Sequence, residues 1–308
     1  MTYLHEPTAR IIADTIPEHY GRRLTTMEIT LHRFVLAEFN THRVFSRNSA
    51  SSRAIPVETQ LERCLNDPAW PLSWPAEQPG MQGGTELELH DLRDAQFLFH
   101  DVWESTLGRI DEYLEAHPEK SSRLHKSVIN RLLEPFMWHT IIVSSTDWQN
   151  FFNQRCTPQA QPEIRATAEL MQAAFEDSSP TMLTAGEFHA PFVGLNPDDH
   201  KLTPLEKLKV SAARCARVSY LTHDGQRSVE ADLKLFEETL AKYGHWSPLE
   251  HVATPLDHGP YRSAGNFGEP WVQFRSLVED YGGTMRATEY VLSTGTHPRV
   301  GMVFNDTK

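Results

Sequence analysis

The sequence predicts an α+β fold, rich in helix and with few strands. Three observations carry that expectation. Leu89, Leu92, Phe99, Val102, Trp103, Ile110 and Tyr113 recur at helical spacing through 86–117, the mark of a long amphipathic helix. Two helix-start signatures, Thr203-Pro204-Leu205-Glu206 and Ser247-Pro248-Leu249-Glu250, each place a hydroxyl at the cap, a proline at the first helical position and a carboxylate at the third. Residues 25–33 alternate cleanly, with Met27, Ile29 and Leu31 on one side and Thr26, Glu28, Thr30 and His32 on the other. That is a strand with one buried face.

The remaining elements follow in order. FVLAEFN (34–40) reads as a short helix. Residues 66–85, dense in Pro, Gly and Trp, form a long irregular loop whose glycines lack the lysine of a phosphate-binding loop. After the long helix come helices at 121–134 and 136–154, with Pro135 at the junction, and another at about 160–177. Residues 178–203 read as a linker with several Pro and Gly. Helices at about 204–217 and 228–243 follow, the second carrying Val229, Leu233, Phe236 and Leu240 on one face. A strand after His251, a Gly-rich loop and a helix near 270–280 complete the pattern. There is no internal repeat, and one domain spans 1–308.

Composition narrows the class. No run of about 18 apolar residues exists, so no membrane span is expected, and the opening MTYLHEPTAR has no apolar core of a signal peptide. Cys64, Cys156 and Cys215 lie far apart without a CxxC pair, which suggests a reducing, cytoplasmic setting and no metal site. The formal net charge of -12 argues against a nucleic-acid partner. One stretch runs against it. NTHRVFSRNSASSR (40–53) holds a histidine, three arginines and five hydroxyls, with Val44 and Phe45 its only sizeable apolar side chains. It fits neither a core helix nor a half-buried strand. Such donors suit phosphate oxygens and the edges of heteroaromatic rings; a solvated loop is the plain alternative.

Four segments resemble the flavin-dependent thymidylate synthases. HRVFSRNSASSR matches the family's [R/T]-H-R-x7-S signature through His42, Arg43 and Ser51, with Arg53 two positions on. NFFNQRCTPQAQPEIR (150–165), AARCARVSY (212–220) and YGHWSPLEH (243–251) resemble three further family segments. The last two normally come first in that family. The resemblance therefore implies circular permutation, with 204–258 as the displaced N-terminal-type segment joined through the linker; an added domain is the alternative.

The resemblance also implies a function: methylation at C5 of a uridine monophosphate, dUMP or UMP, with FAD as cofactor and NADPH and methylenetetrahydrofolate as co-substrates, in nucleotide biosynthesis. The family works as a homotetramer with shared active sites. By position, Arg155 holds the uracil edge and is the catalytic candidate. Glu38, Ser51, Ser52, Arg53 and Arg131 fall at substrate positions, and His42, Arg43, Asn150 and His251 at flavin positions. Pro and Trp residues within 66–75 are candidates to roof the site, with a plain surface loop as the alternative. Thr41 stands where most members have arginine, Ser49 where many have glutamate and Gln159 where many have histidine; Arg275 is a candidate substitute for the missing arginine. Two rivals stand beside this reading: a non-catalytic nucleotide-binding homologue, and a cysteine-nucleophile synthase using Cys156.

Overall fold

Strands β1 (Thr8–Pro17), β2 (Leu24–His32), β3 (Ser46–Ser49), β4 (Trp138–Ser145) and β5 (Thr181–Leu183) form one sheet in the order β3-β4-β2-β1-β5. All pairings are antiparallel except β1 with β5. The coordinates are a computed structural model that describes residues 6–220, 228–256, 265–279, 281–296 and 298. The rest of the chain, including 221–227 and 257–264 of the predicted displaced segment and Gly-rich loop, lies outside the described residues.

The helices are α1 (Leu36–Asn40), α2 (Val57–Asn66), α3 (Leu89–Ala116), α4 (Lys126–Leu132), α5 (Gln149–Arg155) and α6 (Pro162–Asp177), then α7 (Pro204–Arg217), α8 (Val229–Leu235), α9 (Phe274–Glu279) and α10 (Arg286–Thr294). A short hairpin pairs β6 (Ala253–Pro255) with β7 (Trp271–Gln273). The architecture is α+β, as predicted.

Alternation along β2 and β4 sends side chains to opposite faces. Met27, Ile29, Leu31, Ile141 and Val143 bury one face against Phe39, Phe45, Phe151, Phe152, Ile164, Ala168 and Met171 of the α1–β3 region, α5 and α6. The other face carries Ile142, which packs on Phe192, Cys215 and Val218, beside polar Thr26 and Ser144. The chain beyond α6 closes over that second face. Asn48 Nδ2 donates to Cys215 O (3.4 Å), Ser51 N to Ser219 O (3.1 Å), and Gln273 Nε2 to Ser46 Oγ (3.1 Å). Several polar residues of the 40–53 stretch thus dock one part of the chain on another.

A buried ion network fastens the segment before α7. Arg214, 2% exposed, forks onto Asp199 (2.7 and 2.8 Å), reaches Asp232 (2.9 Å) and donates to Phe192 O (2.6 Å); Arg217 joins at Asp232 (2.6 Å). Breaking such a pair leaves an uncompensated buried charge, about 3–5 kcal/mol.

The structure corrects several sequence expectations. The predicted helix over 136–154 is a strand, β4, followed by the short α5. HTIIVSS is buried on both faces, so it shows no alternation, and a short apolar run does not separate strand from helix. Its β-branched residues favour the strand. β1 and β3 were not expected; β1 contains a register shift between Ile11 and Ala13 that breaks its alternation. α2 and α10 were not expected either. The 178–203 linker contains β5 and a 3₁₀ turn at Pro197–Lys201. Thr203 caps α7 as predicted, with Glu206 returning the bond. Ser247–His251 is only a 3₁₀ turn without a side-chain cap.

Candidate functional site

Arg155, the last residue of α5, reaches the 40–53 stretch across 113 positions of sequence. Its Nε donates to His42 Nε2 at 3.0 Å, and its Nη2 to Glu38 O and Thr41 Oγ1, each at 3.3 Å. His42 is 9% exposed and sits among aromatic rings, 4.9 Å from Phe151 and 5.9 Å from Phe45 between centroids. Burial first, then the Arg155 and Arg47 charges, lower its pKa to about 4. At neutral pH the ring is therefore uncharged, and Nε2 is an acceptor, as its bond with Arg155 requires. Thr41, the departure from the family's arginine, has a local use: its hydroxyl accepts from Arg155, where an arginine would set a second cation against it.

Glu38 Oε2 is buried with no hydrogen-bond partner among the described residues, a carboxylate oxygen left ready for a donor. Arg43 and Asn150 are exposed, the latter at the start of α5. The structure therefore brings Arg155, His42, Thr41 and Glu38 together and leaves Arg43 and Asn150 on the surface.

A second cluster gathers Ser52 and Arg131. Both contact Glu134 Oε1, Ser52 Oγ at 3.4 Å and Arg131 Nη1 at 2.5 Å, and Arg33 Nη2 joins at 2.9 Å. Buried Asn130 Nδ2 holds Ser52 O at 2.8 Å and Ile55 O at 3.1 Å. Ser51 Oγ accepts from Arg53 N at 3.3 Å, and the exposed Arg53 side chain has no ion-pair partner among the described residues. Sequence reasoning missed Arg33 and Glu134. Each sits where one element ends and another begins, and no spacing pattern marks it.

His251 is fully buried on the second face of the sheet, the face opposite the Phe45–Phe151 wall that His42 packs on. Its Nδ1 pairs with Ser144 Oγ at 2.8 Å, Ser144 with Thr26 Oγ1 at 2.5 Å, Thr26 with His189 Nε2 at 2.7 Å, and His189 Nδ1 with Thr15 Oγ1 at 2.8 Å. His251 Nε2, by contrast, is buried and has no hydrogen-bond partner among the described residues. Arg275 is engaged by Glu250 and Glu279 and is not free to replace the arginine absent at 41.

The Pro/Gly/Trp-rich loop lines a cleft apart from both the Arg155 and the Glu134 clusters. Residues 71–86 close a cleft of about 690 Å³ over the 158–165 segment, with Phe34, Phe99, Gln159, Gln161 and Arg165 in its walls. Cys156 is half-buried, and burial first, then the charges of Glu169 and Glu176, push its thiol up. A nucleophilic cysteine needs the reverse. Cys156→Ser should therefore leave tritium release from C5 of the substrate largely intact; loss of turnover in a folded, FAD-binding variant would restore the cysteine mechanism. Among the described residues there is no cluster suited to a metal ion and no helix long and apolar enough to cross a membrane.

The sequence profile of the family described as thymidylate synthase complementing protein matches residues 23–181, just over half of the chain. Solved structures of a UMP/dUMP methylase, PolB from Streptomyces cacaoi, are also similar. The form bound with 5-Br UMP is 12% identical, covers 57% of this chain and 90% of its own, and gives a TM-score of 0.44. The form bound with 5-Br dUMP is 12% identical over 59% and 93%, with a TM-score of 0.43. No curated protein sequence matches.

Proposed function

Because the chain belongs to the thymidylate synthase complementing protein family, we propose that it is a flavin-dependent methyltransferase. It moves a one-carbon unit from methylenetetrahydrofolate to C5 of a uridine monophosphate, dUMP or UMP, and NADPH reduces its FAD. The observation that carries this reading is the Arg155–His42 contact, which joins two of the four family-like segments in one site. The residues fit the groups they would hold. Unpartnered Glu38 Oε2 offers an acceptor to a ribose hydroxyl or ring N–H, and exposed Arg43 offers a fork to an anion. His42, Arg43, Asn150 and His251, whose Nε2 has no partner among the described residues, would hold FAD, which when bound and reduced supplies hydride.

Arg155 would hold the uracil edge. Its guanidinium is oriented by His42, Glu38 O and Thr41, and a fixed cation favours charge on the ring as C5 becomes nucleophilic. Ser51, Ser52, Arg53 and Arg131 would hold the ribose and phosphate. We read the segment from 204 to 258 as the permuted half of this same catalytic domain, in keeping with its bonds to β3 and β4. The active form is a homotetramer in which exposed Arg43, Arg53 and Asn150 meet ligands shared between subunits.

FAD binding is the first test. Heat-released supernatant should contain FAD, or the purified protein should bind added FAD with a Kd of roughly 10 μM or tighter. No binding would favour the non-catalytic nucleotide-binding homologue.

A further inference from the structure

We propose that Glu134 is a resident stand-in for the substrate phosphate, and that Arg33, Arg131 and Ser52 form the pocket for a phosphate monoester dianion. The proposal rests on the reading above and adds Arg33 and Glu134 to it. Three donors converge on one atom: Glu134 Oε1 takes Arg33 Nη2 at 2.9 Å, Arg131 Nη1 at 2.5 Å and Ser52 Oγ at 3.4 Å. Two guanidiniums and a hydroxyl around one oxygen are the donor set that a phosphate oxygen takes. The carboxylate supplies one negative charge to two cations, whereas a phosphate monoester supplies close to two at neutral pH.

Two of the three donors, Arg33 and Ser52, are anchored by groups other than Glu134. Arg33 follows β2, and its backbone N–H donates to Met137 O at 2.9 Å. Its Nη1 lies 3.0 Å from His139 Nε2. His139 is buried, and burial first, then the Arg33 charge, lower its pKa to about 3. The ring is thus a neutral rest for the guanidinium at working pH. Ser52 is pinned through its carbonyl by Asn130. Glu134 instead opens a three-residue turn, Glu134–Phe136, and its side chain is 26% exposed. Its carboxylate has a path to water that leaves the donors in place. A partly exposed pair is weak, so a dianion displaces it. Arg131, with its side chain 54% exposed, opens the pocket to solvent.

A carboxylate that served instead to orient the two guanidiniums would give the opposite sign on removal. Calorimetric titration of the FAD-loaded protein with UMP, dUMP, uridine and deoxyuridine separates the two. Glu134→Gln should bind both nucleotides about five- to tenfold tighter, with the nucleosides unchanged, because only the phosphate meets the site. Equal or weaker nucleotide binding by Glu134→Gln, or an equal change for the nucleosides, overturns the proposal. Arg33→Lys keeps the charge and loses the fork. It should weaken nucleotide binding about tenfold and spare the nucleosides; unchanged nucleotide affinity removes Arg33 from the site. Wild-type protein that binds FAD but no nucleotide would instead overturn the function reading, and the phosphate pocket with it.

Discussion

Replacing Arg155 with alanine should lower kcat by about 100- to 1000-fold while FAD stays bound and KM changes little. The size follows from removing one preorganised donor aimed at charge that develops during the reaction. The split between kcat and KM follows because that interaction strengthens as the uracil ring gains charge. Folding should survive. Arg155 has three hydrogen-bond partners, His42, Glu38 O and Thr41, and no carboxylate among the described residues. Their net contribution to stability is roughly 1 kcal/mol each. Arg155→Lys should not rescue turnover, because a single ammonium cannot span His42, Glu38 O and the uracil edge at once. Tritium release from C5 measures the step directly. A variant with intact kcat would take the catalytic role away from Arg155.

The parts of this architecture that were legible in the sequence are those with a single buried face. β2 alternates because one side meets the Phe39–Phe151 core and the other faces polar partners, and α3 shows its stripe for the same reason. β4 is enclosed on both sides, by Val143 and Ile141 on one and Ile142 on the other. Its pattern is therefore continuous, and continuity reads equally as helix. β3 hides differently. Ser46 and Asn48 point to a buried face yet are polar, because their partners are Gln273 and the Cys215 carbonyl from distant parts of the chain. No local rule anticipates a buried serine whose partner is 227 residues away.

The same contrast holds in the site. Arg155 and His42 stood out because each lies in a segment with a recognisable order of residue types, and the fold joins them. Arg33 and Glu134 belong to no such segment; they became visible only when β2, α4 and the turn before β4 were assembled around Ser52. His251 lies in a matching segment on the other face of the sheet, where its Nδ1 pairs with Ser144 and its Nε2 has no partner among the described residues.

That buried chain of partners leads to the second large effect, a steep loss of stability in mild acid. His139, His189 and His251 are essentially unexposed. Burial lowers the pKa of each to about 3; at His139 the Arg33 charge adds to it, and at His189 the Asp14 charge opposes it and His251 adds to it less. In the unfolded chain each would titrate near its ordinary value of about 6.5. A depressed histidine pKa means that the native state holds the neutral ring. Its stabilising effect is fully present above about pH 6.5 and is lost as pH falls from there toward 3. At pH 5 each ring costs about 2 kcal/mol, together roughly 6 kcal/mol, against a total stability of about 5–15 kcal/mol for a domain. Asp14 and Asp199 do not compete in this window. Burial raises their pKa values, but Arg23 at Asp14 and Arg214 at Asp199 outweigh it and hold both below the usual carboxylate value of 3.8. The urea midpoint should therefore fall steeply from pH 7.5 through 6.0 to 5.0. His251→Gln, which keeps a polar partner for Ser144 but cannot titrate, should flatten that slope by at most about a quarter, because His42, lowered to about 4, contributes in the same window. A midpoint constant between pH 7.5 and 5.0 would mean that these rings take up protons in the folded protein, and that the Thr15–His189–Thr26–Ser144–His251 chain is open to water.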